Sequence, residues 1–409
     1  MFRRAIFFDP ELGESTGHRC TFVLRVASEL QRRGIETRAF GRQRAGIQCR
    51  STNIAVERGF KRSLFFQFSN DPDVQFLKHR AEYRDDFAFL DRKQFSDEDL
   101  LIFPSVFPSF LGAAADWVRE FPVEKRPASA FLFQFGEFSV EAWDLEHYHA
   151  GINSAVRTTR EARIRYFASS VPLAHRFTAI LGRPVIALPM PVERRSGVSA
   201  APSAQFLAPS GEKEICVGYL GHASEEKGGN LLPDVADWLQ KEFPKTKLLL
   251  HLNSNWETED TFRQISVAPP SNVELVCGHV TEEQMAALLD RCDVILLPYN
   301  AGKYKVVPSL IFSEALSRGK VVVIPRDTWM SLEALTVIAG ASVFERFNVA
   351  DICQALGHAI KNYTSLKRRA DGCVTGWLER HGVDHFVERL LSGWSLPTQE
   401  VRPSFGWDP

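Results

Sequence analysis

The sequence has no surplus of one charge, no long apolar run and no paired cysteines, and each absence removes a class of protein. With 49 Lys and Arg against 50 Asp and Glu, the chain is not the polycation that nucleic acid selects, and no nucleic-acid partner is expected. Nowhere do 18 apolar residues run together, so no segment can cross a hydrocarbon layer of about 30 Å as a helix. The seven cysteines, at 20, 49, 216, 277, 292, 353 and 373, form no C-x-x-C pair and no zinc-like cluster with histidine. They read as free thiols of a reducing compartment. The N-terminal run Ala5–Phe8 is too short for a signal sequence and ends at Asp9, so it reads as a first strand of a cytoplasmic protein. Tandem repeats, low-complexity tracts and a G-x-G-x-x-G after either first strand are also missing, and the last absence argues against a dinucleotide oxidoreductase.

What is present is length and a repeated grammar. A chain of 409 residues predicts two or three domains, each able to bury its own core. Two stretches, from Ala5 and from Ile215, run from a short apolar strand through a glycine-bearing loop into an amphipathic helix, the mark of parallel α/β units. In the first half, strands are expected at 5–8, 35–40, 100–103, 130–135 and 164–168, with helices at 20–33 and 110–120. The stretch 194–213, rich in Ser, Ala and Pro, cannot build a core and reads as a linker between domain 1–193 and domain 214–370. The second half predicts strands at 215–220, 247–252, 273–277, 294–297, 321–324 and 342–344. Helices are expected at 230–242, 282–291, 309–318 and 349–363, with 371–394 largely helical. The fold class is α/β, with two doubly wound, Rossmann-like domains. The 31 Phe and 8 Trp are core by default, although Trp256, Trp329 and Tyr304 are equally candidates for lining a sugar or base site.

Overall neutrality hides an uneven distribution: residues 1–62 carry thirteen Lys or Arg against six acids. This surplus suits attraction to an anionic membrane surface or a phosphorylated substrate, and equally a solvated helix face with scattered arginines.

In doubly wound sheets ligands bind beyond the carboxyl ends of the strands, which directs attention to the loops after strands. Residues 221–229 leave a strand and enter a helix; their glycines admit a close backbone approach while Lys227 offsets phosphate charge, and a plain surface turn would look the same. Pro308 and Ser309 stand where a helix begins, and free amides at such an end form a phosphate site. Glu314 follows on an otherwise apolar helix, where a carboxylate needs a donor that a pair of sugar hydroxyls would supply. No Asp-x-Asp stands at the carboxyl end of a predicted strand, so no metal is expected.

The ordered series Gly221-His222 with Lys227-Gly228, Asn272-Val273 with Gly278, Cys292 to Pro298, and Ser309 with Glu314-Ala315-Leu316 and Gly319-Lys320 resembles the donor domain of GT-B glycosyltransferases, specifically the retaining family 4 group. The likeness covers about 212–330, with a weaker echo in the first half. It implies a nucleotide-diphosphate sugar as donor substrate, no separate cofactor, and a glycan or lipid-linked glycan as acceptor, in bacterial polysaccharide or glycoconjugate synthesis. Lys227 matches the second of the family's two diphosphate cations, while His222 holds the place of the first. The diphosphate would rest on Lys227 and the Ser309 and Leu310 amides, with Gly17, Gly221 and Tyr304 also on the donor side. Glu314 matches the carboxylate that holds the ribose. The partner carboxylate eight positions earlier is replaced by Val306.

The same resemblance makes Gly17-His18-Arg19 a counterpart of the family's first glycine-rich loop and 371–396 the C-terminal helices that cross back to the first domain. Retention by same-face attack, assisted by the leaving phosphate, needs no enzymic nucleophile. An inverting reaction would need a base, for which His18 and Glu137 are the candidates; His18 also has a bland reading as a surface imidazole. Rival functions are a non-catalytic nucleotide-sugar or glycan-binding protein of this fold, which the missing acid at 306 and the histidine at 222 favour, and a GT-B-like nucleotide-sugar epimerase.

Overall fold

The computed structural model describes residues 2–12, 18–42, 48–49, 54–61, 63–64, 72–134, 163–193, 214–221, 223–252, 265, 269–278 and 280–394. The linker 194–213 and the candidates Gly17, Glu137, His222 and Trp256 lie outside these residues, as does the side chain of His18.

The first domain is built on strands β1 (Arg4–Phe8), β2 (Glu36–Arg42), β3 (Gln48–Cys49), β4 (Ile54–Phe60), β5 (Asp99–Phe103), β6 (Ala128–Phe133), β7 (Ile164–Ala168) and β8 (Val185–Ala187). They form one sheet in the order β3-β4-β2-β1-β5-β6-β7-β8. All pairs are parallel except β3 with β4. Helices α1 (His18–Arg32), α2 (Pro72–Ala88), α3 (Pro108–Arg119) and α4 (Val171–Leu181) flank it. A parallel sheet covered on both faces asks for continuously apolar strands, and β5 and β6 are buried at every position. Alternation then sorts side chains by face. Ile6, Phe8, Leu101, Phe103, Phe131 and Phe133 join the layer of α2, α3 and α4, while Ala5, Phe7, Leu100 and Ile102 meet α1. Much of the phenylalanine goes into the first layer, where Phe103 stacks on Phe131 at 4.5 Å and Phe8 on Phe103 at 5.1 Å.

The second domain carries β9 (Cys216–Tyr219), β10 (Lys247–Leu252), β11 (Val273–Cys277), β12 (Val294–Leu296), β13 (Val321–Pro325) and β14 (Ala341–Phe344). Their order is β11-β10-β9-β12-β13-β14 and every pair is parallel. Its helices are α5 (Leu232–Glu242), α6 (Glu282–Arg291), α7 (Ala301–Tyr304), α8 (Leu310–Ser317), α9 (Trp329–Thr336), α10 (Val349–Lys361) and α11 (Tyr363–His381). Thr281 and Thr328 start α6 and α9 with capping boxes, each satisfying two otherwise orphaned amides.

The chain then returns to the first domain. Val192 pairs with the start of α12 (Val383–Leu391): its N–H donates to His381 O at 2.9 Å and its carbonyl accepts from Val383 N at 3.0 Å. Phe386, Val387 and Leu390 of α12 complete the α1 layer, with Phe386 edge-on to Phe22 at 5.4 Å.

Among the described residues, β3, β4, β8, α2, α4, α7 and α9 were not among the elements expected from the sequence. Pro72 and Asp73, part of an Asp-Pro-Asp sequence that follows no expected strand, begin α2. Trp329 is a core anchor and not a ligand wall, 1% exposed and packed edge-on to Phe312.

Candidate functional site

Each sheet has a topological switch at its first strand. In the second sheet β9 lies between β10 and β12, so the loops leaving β9 and β12 flank the crevice where such sheets take ligands. These two loops are bound to each other. Asn300 N donates to Glu226 O at 2.8 Å, and Gly228, at φ +74°, approaches so closely that a Cβ there would stand 2.4 Å from Pro298 O.

Lys227 ends the short turn Glu225–Lys227 and is half-buried. Its amine lies 5.8 Å from the Tyr299 ring centre, and among the described residues no carboxylate forms an ion pair with it. Burial lowers its pKa, the expected direction for a cation short of solvent and of a counter-ion. Two neighbouring polar atoms are orphaned as well: Tyr219 Oη and Ser224 Oγ are buried without a hydrogen-bond partner among the described residues.

On the other loop, Ser309 caps α8, its Oγ accepting from Phe312 N at 3.3 Å. Ser313 N donates to Ser309 O. The Ser309 and Leu310 amides at this end have no partner within the helix. Tyr299, pushed up to about 12 by burial, shares a hydrogen bond with the Ser309 side chain, and its ring lies 4.5 Å from that of Tyr304. Lys227, Ser309, Leu310 and Tyr304 are thus drawn together by one pair of loops. Gly221 stands at the root of the first, its N–H donating to His251 Nδ1 at 3.3 Å. His251 Nε2, 2.8 Å from Gly278 O, then carries the proton.

Glu314 is placed differently from expectation. It is 5% exposed, and its donors are arginines: Arg25 Nη1 meets Oε1 and Arg318 Nη1 meets Oε2. These guanidiniums hold the carboxyl below its usual range against the opposing effect of burial. Arg25 comes from α1, so this contact crosses between domains. Val306, at the place of the family's other carboxylate, packs on the apolar layer of the first domain, and its carbonyl accepts from Ser170 Oγ at 2.7 Å.

The switch of the first sheet lies between β1 and β5, and here the structure adds residues the sequence did not single out. Asp9, 1% exposed at the end of β1, accepts from Glu11 N at 2.9 Å and pairs with Arg19 at 3.3 Å. Burial raises its pKa. Ser105, beyond β5, is fully buried with no partner for Oγ among the described residues. An acid closing an apolar first strand was the available signal for Asp9; nothing local marks Ser105. His18 is the first residue of α1. Among the described residues no three His, Cys, Asp or Glu are grouped to hold a metal ion, and no helix is long and apolar enough to cross a membrane.

The basic surplus of the N-terminal region is largely engaged in ion pairs. Arg4, Arg19, Arg25, Arg32, Arg33, Arg38, Arg42 and Lys61 each pair with a carboxylate.

No protein-family model matches the chain, and no curated protein matches it by sequence. Its likenesses are structural. A sucrose-phosphate synthase from Thermosynechococcus elongatus superposes with a TM-score of 0.67 at 12% identity, over 95% of this chain and 97% of that one. A UDP-forming trehalose-phosphate synthase from Burkholderia xenovorans gives 0.65 at 11% identity, over 96% and 98%. Anabaena HepE in complex with UDP and glucose gives 0.62 at 15%, over 95% and 98%. Likeness of this extent, spanning both domains, establishes the two-domain GT-B fold.

Proposed function

We propose that the chain is a glycosyltransferase that moves a sugar from a nucleotide-diphosphate donor to a hydroxyl acceptor on a glycan or lipid-linked glycan. The observation that carries this is Lys227, a half-buried cation without an acidic partner among the described residues, beside the capped start of α8 at the switch point of the second sheet. That combination suits a diphosphate: the Ser309 and Leu310 amides and the Lys227 ammonium meet the charge that develops as the leaving group departs. Fixed dipoles and one cation serve this purpose without a metal. UDP in the HepE structure and the UDP-forming synthase make UDP the first nucleotide to try. Attack on the face that the diphosphate leaves would retain configuration, in keeping with the family 4 resemblance, and the work of this second domain would be donor binding.

A binding protein without turnover is the second reading, favoured by Val306. Where an acid would meet the transferred sugar, an apolar side chain packs on the other domain.

The test is calorimetric titration with UDP, GDP, ADP, TDP and CMP in the presence of EDTA, comparing the native chain with Lys227→Ala. One nucleoside diphosphate should bind and the substitution should weaken it about tenfold or more, as loss of a charge-assisted contact does. Absence of binding by all five would refute the donor site; tight binding with neither transfer nor hydrolysis of the corresponding sugar nucleotide would favour the second reading.

A further inference from the structure

A cavity of about 240 Å³ opens between α2 and α3 of the first domain, and it shares no residue with the site around Lys227. Arg84, Asp85 and Ala88 line it from α2, and Asp116, Trp117 and Glu120 from α3. Each set follows the three- and four-residue spacing of one helix face, and further alanines on both helices leave the room between them. That volume corresponds to roughly eight waters at about 30 Å³ each. It falls below the roughly 300–1,000 Å³ of sites for drug-sized ligands, so a single sugar-sized ring fits and a whole nucleotide does not.

Trp117 brings an unmet donor to this space. It is 2% exposed, and its Nε1 has no hydrogen-bond partner among the described residues. Phe87 stacks on its ring at 5.1 Å, and Phe8, Phe95 and Phe121 meet it edge-on at 5.7, 5.3 and 5.0 Å. None of these side chains carries a hydrogen-bond acceptor, and a donor buried without one is costly. The cavity that Trp117 lines is the open space from which an acceptor can come.

The charges around the cavity cancel. Asp116 pairs with Arg80 at 2.9 Å and Glu120 pairs with Arg92, while Asp85 has Arg84 beside it in the lining. Three carboxylates are matched by three guanidiniums, so the lining has no net charge to draw a phosphate or an ammonium. It nevertheless offers acceptors and donors side by side, and a hydroxyl group, donor and acceptor at once, answers both. Phe89, next in the chain after Ala88, is 76% exposed even with Lys61 Nζ 4.7 Å from its ring centre. It presents apolar surface of the kind that takes the C–H face of a sugar ring.

We propose that the cavity between α2 and α3 is a saccharide site that takes one uncharged sugar unit, with the Trp117 indole N–H donating to one of its oxygens. A glycan is then held on the first domain at a point separate from the donor site. The inference does not depend on the transferase reading, because a binding protein of the same fold would use the cavity equally.

The experiment is titration of the full chain with maltose, cellobiose, lactose and diacetylchitobiose, with spermidine and inorganic phosphate as charged controls, following the indole N–H resonances by NMR. Trp117→Phe identifies the signal of Trp117 among the eight tryptophans. At least one saccharide should shift that signal saturably. Ala88→Leu, at an exposed position bordering the cavity, should weaken saccharide binding about tenfold or more by filling the space, while nucleotide titrations match those of the native chain. In Trp117→Phe, binding followed by saturation transfer to the sugar should weaken about 2- to 12-fold, as loss of one hydrogen bond does. If Trp117→Phe does not fold, loss of the indole shift in Ala88→Leu decides. The proposal is overturned if no saccharide moves the Trp117 signal, if the shift survives unchanged in Ala88→Leu, or if spermidine or phosphate produces it in place of the sugars. A saccharide held at Trp117 with no nucleotide bound leaves this site standing without the transferase reading, and nucleotide binding with no saccharide at Trp117 does the reverse.

Discussion

Replacing Gly228 with alanine tests the close apposition on which the candidate site depends. Two costs add at this position. A backbone at φ +74° is left-handed, and a side chain there costs roughly 1–2 kcal/mol. The new Cβ would also stand 2.4 Å from Pro298 O and 2.9 Å from the Pro298 ring. Because the nearer atom is backbone, the two loops must move apart, and overpacking of this kind costs about 1–3 kcal/mol. Together these predict a loss of about 2–5 kcal/mol. Gly278 provides a control within the same domain: its φ is +87°, yet an added Cβ would meet nothing within 4 Å, so Gly278→Ala carries only the first cost. Urea denaturation of both variants isolates the second. Titration adds a functional readout, since Gly228→Ala displaces Lys227 from beside the Tyr299 ring and should weaken nucleotide binding while Gly278→Ala leaves it unchanged. Equal stability losses in the two variants would refute the described contact between the loops.

Two further outcomes are expected. His381 is 2% exposed and stacked on Trp377 at 3.6 Å, and burial lowers its pKa from 6.5 despite Glu333 nearby. The unfolded chain therefore takes up the proton first, so the stability due to the neutral ring is present above pH 6.5 and is lost as pH falls through the lower folded pKa. Thermal melts below pH 6.5 should fall more steeply for the native chain than for His381→Gln, and parallel curves would contradict this. Ile338 adopts φ +53° with its side chain 72% exposed, a strained setting for a β-branched residue. Ile338→Gly should stabilise by about 0.5–1 kcal/mol, the relief being partly offset by the freer unfolded chain; a net loss in chemical denaturation would mean that the side chain has a stabilising contact.

Much of the fold was legible because buried parallel strands announce themselves as short apolar runs between turn residues. β10, β11 and α6 fall where the sequence puts them, residue for residue. β4 and α2 were not legible for physical reasons. β4 (Ile54–Phe60) carries Glu57 and Arg58 within it, which interrupts the run. α2 leaves Leu77 exposed while burying Tyr83 and Phe87, so its apolar residues do not mark a clean face. At the site the same distinction holds. Lys227, Ser309 and Tyr304 could be found because a loop motif and a helix start are local features. The partners of Glu314 could not all be found that way: Arg318 is one turn away, but Arg25 lies 289 residues distant in sequence and meets it only through the mutual position of two domains.

The return of α12 to the first domain has a consequence for biosynthesis. Phe386, Val387 and Leu390 cover the same apolar layer as Phe7, Phe22 and Val26, yet they are synthesised after the whole second domain. A nascent first domain emerging from the ribosome can pair its strands but cannot finish that layer until the last helix follows. During elongation Phe22 and its neighbours stay uncovered until α12 is made, an aggregation hazard that outlasts the synthesis of the first domain itself.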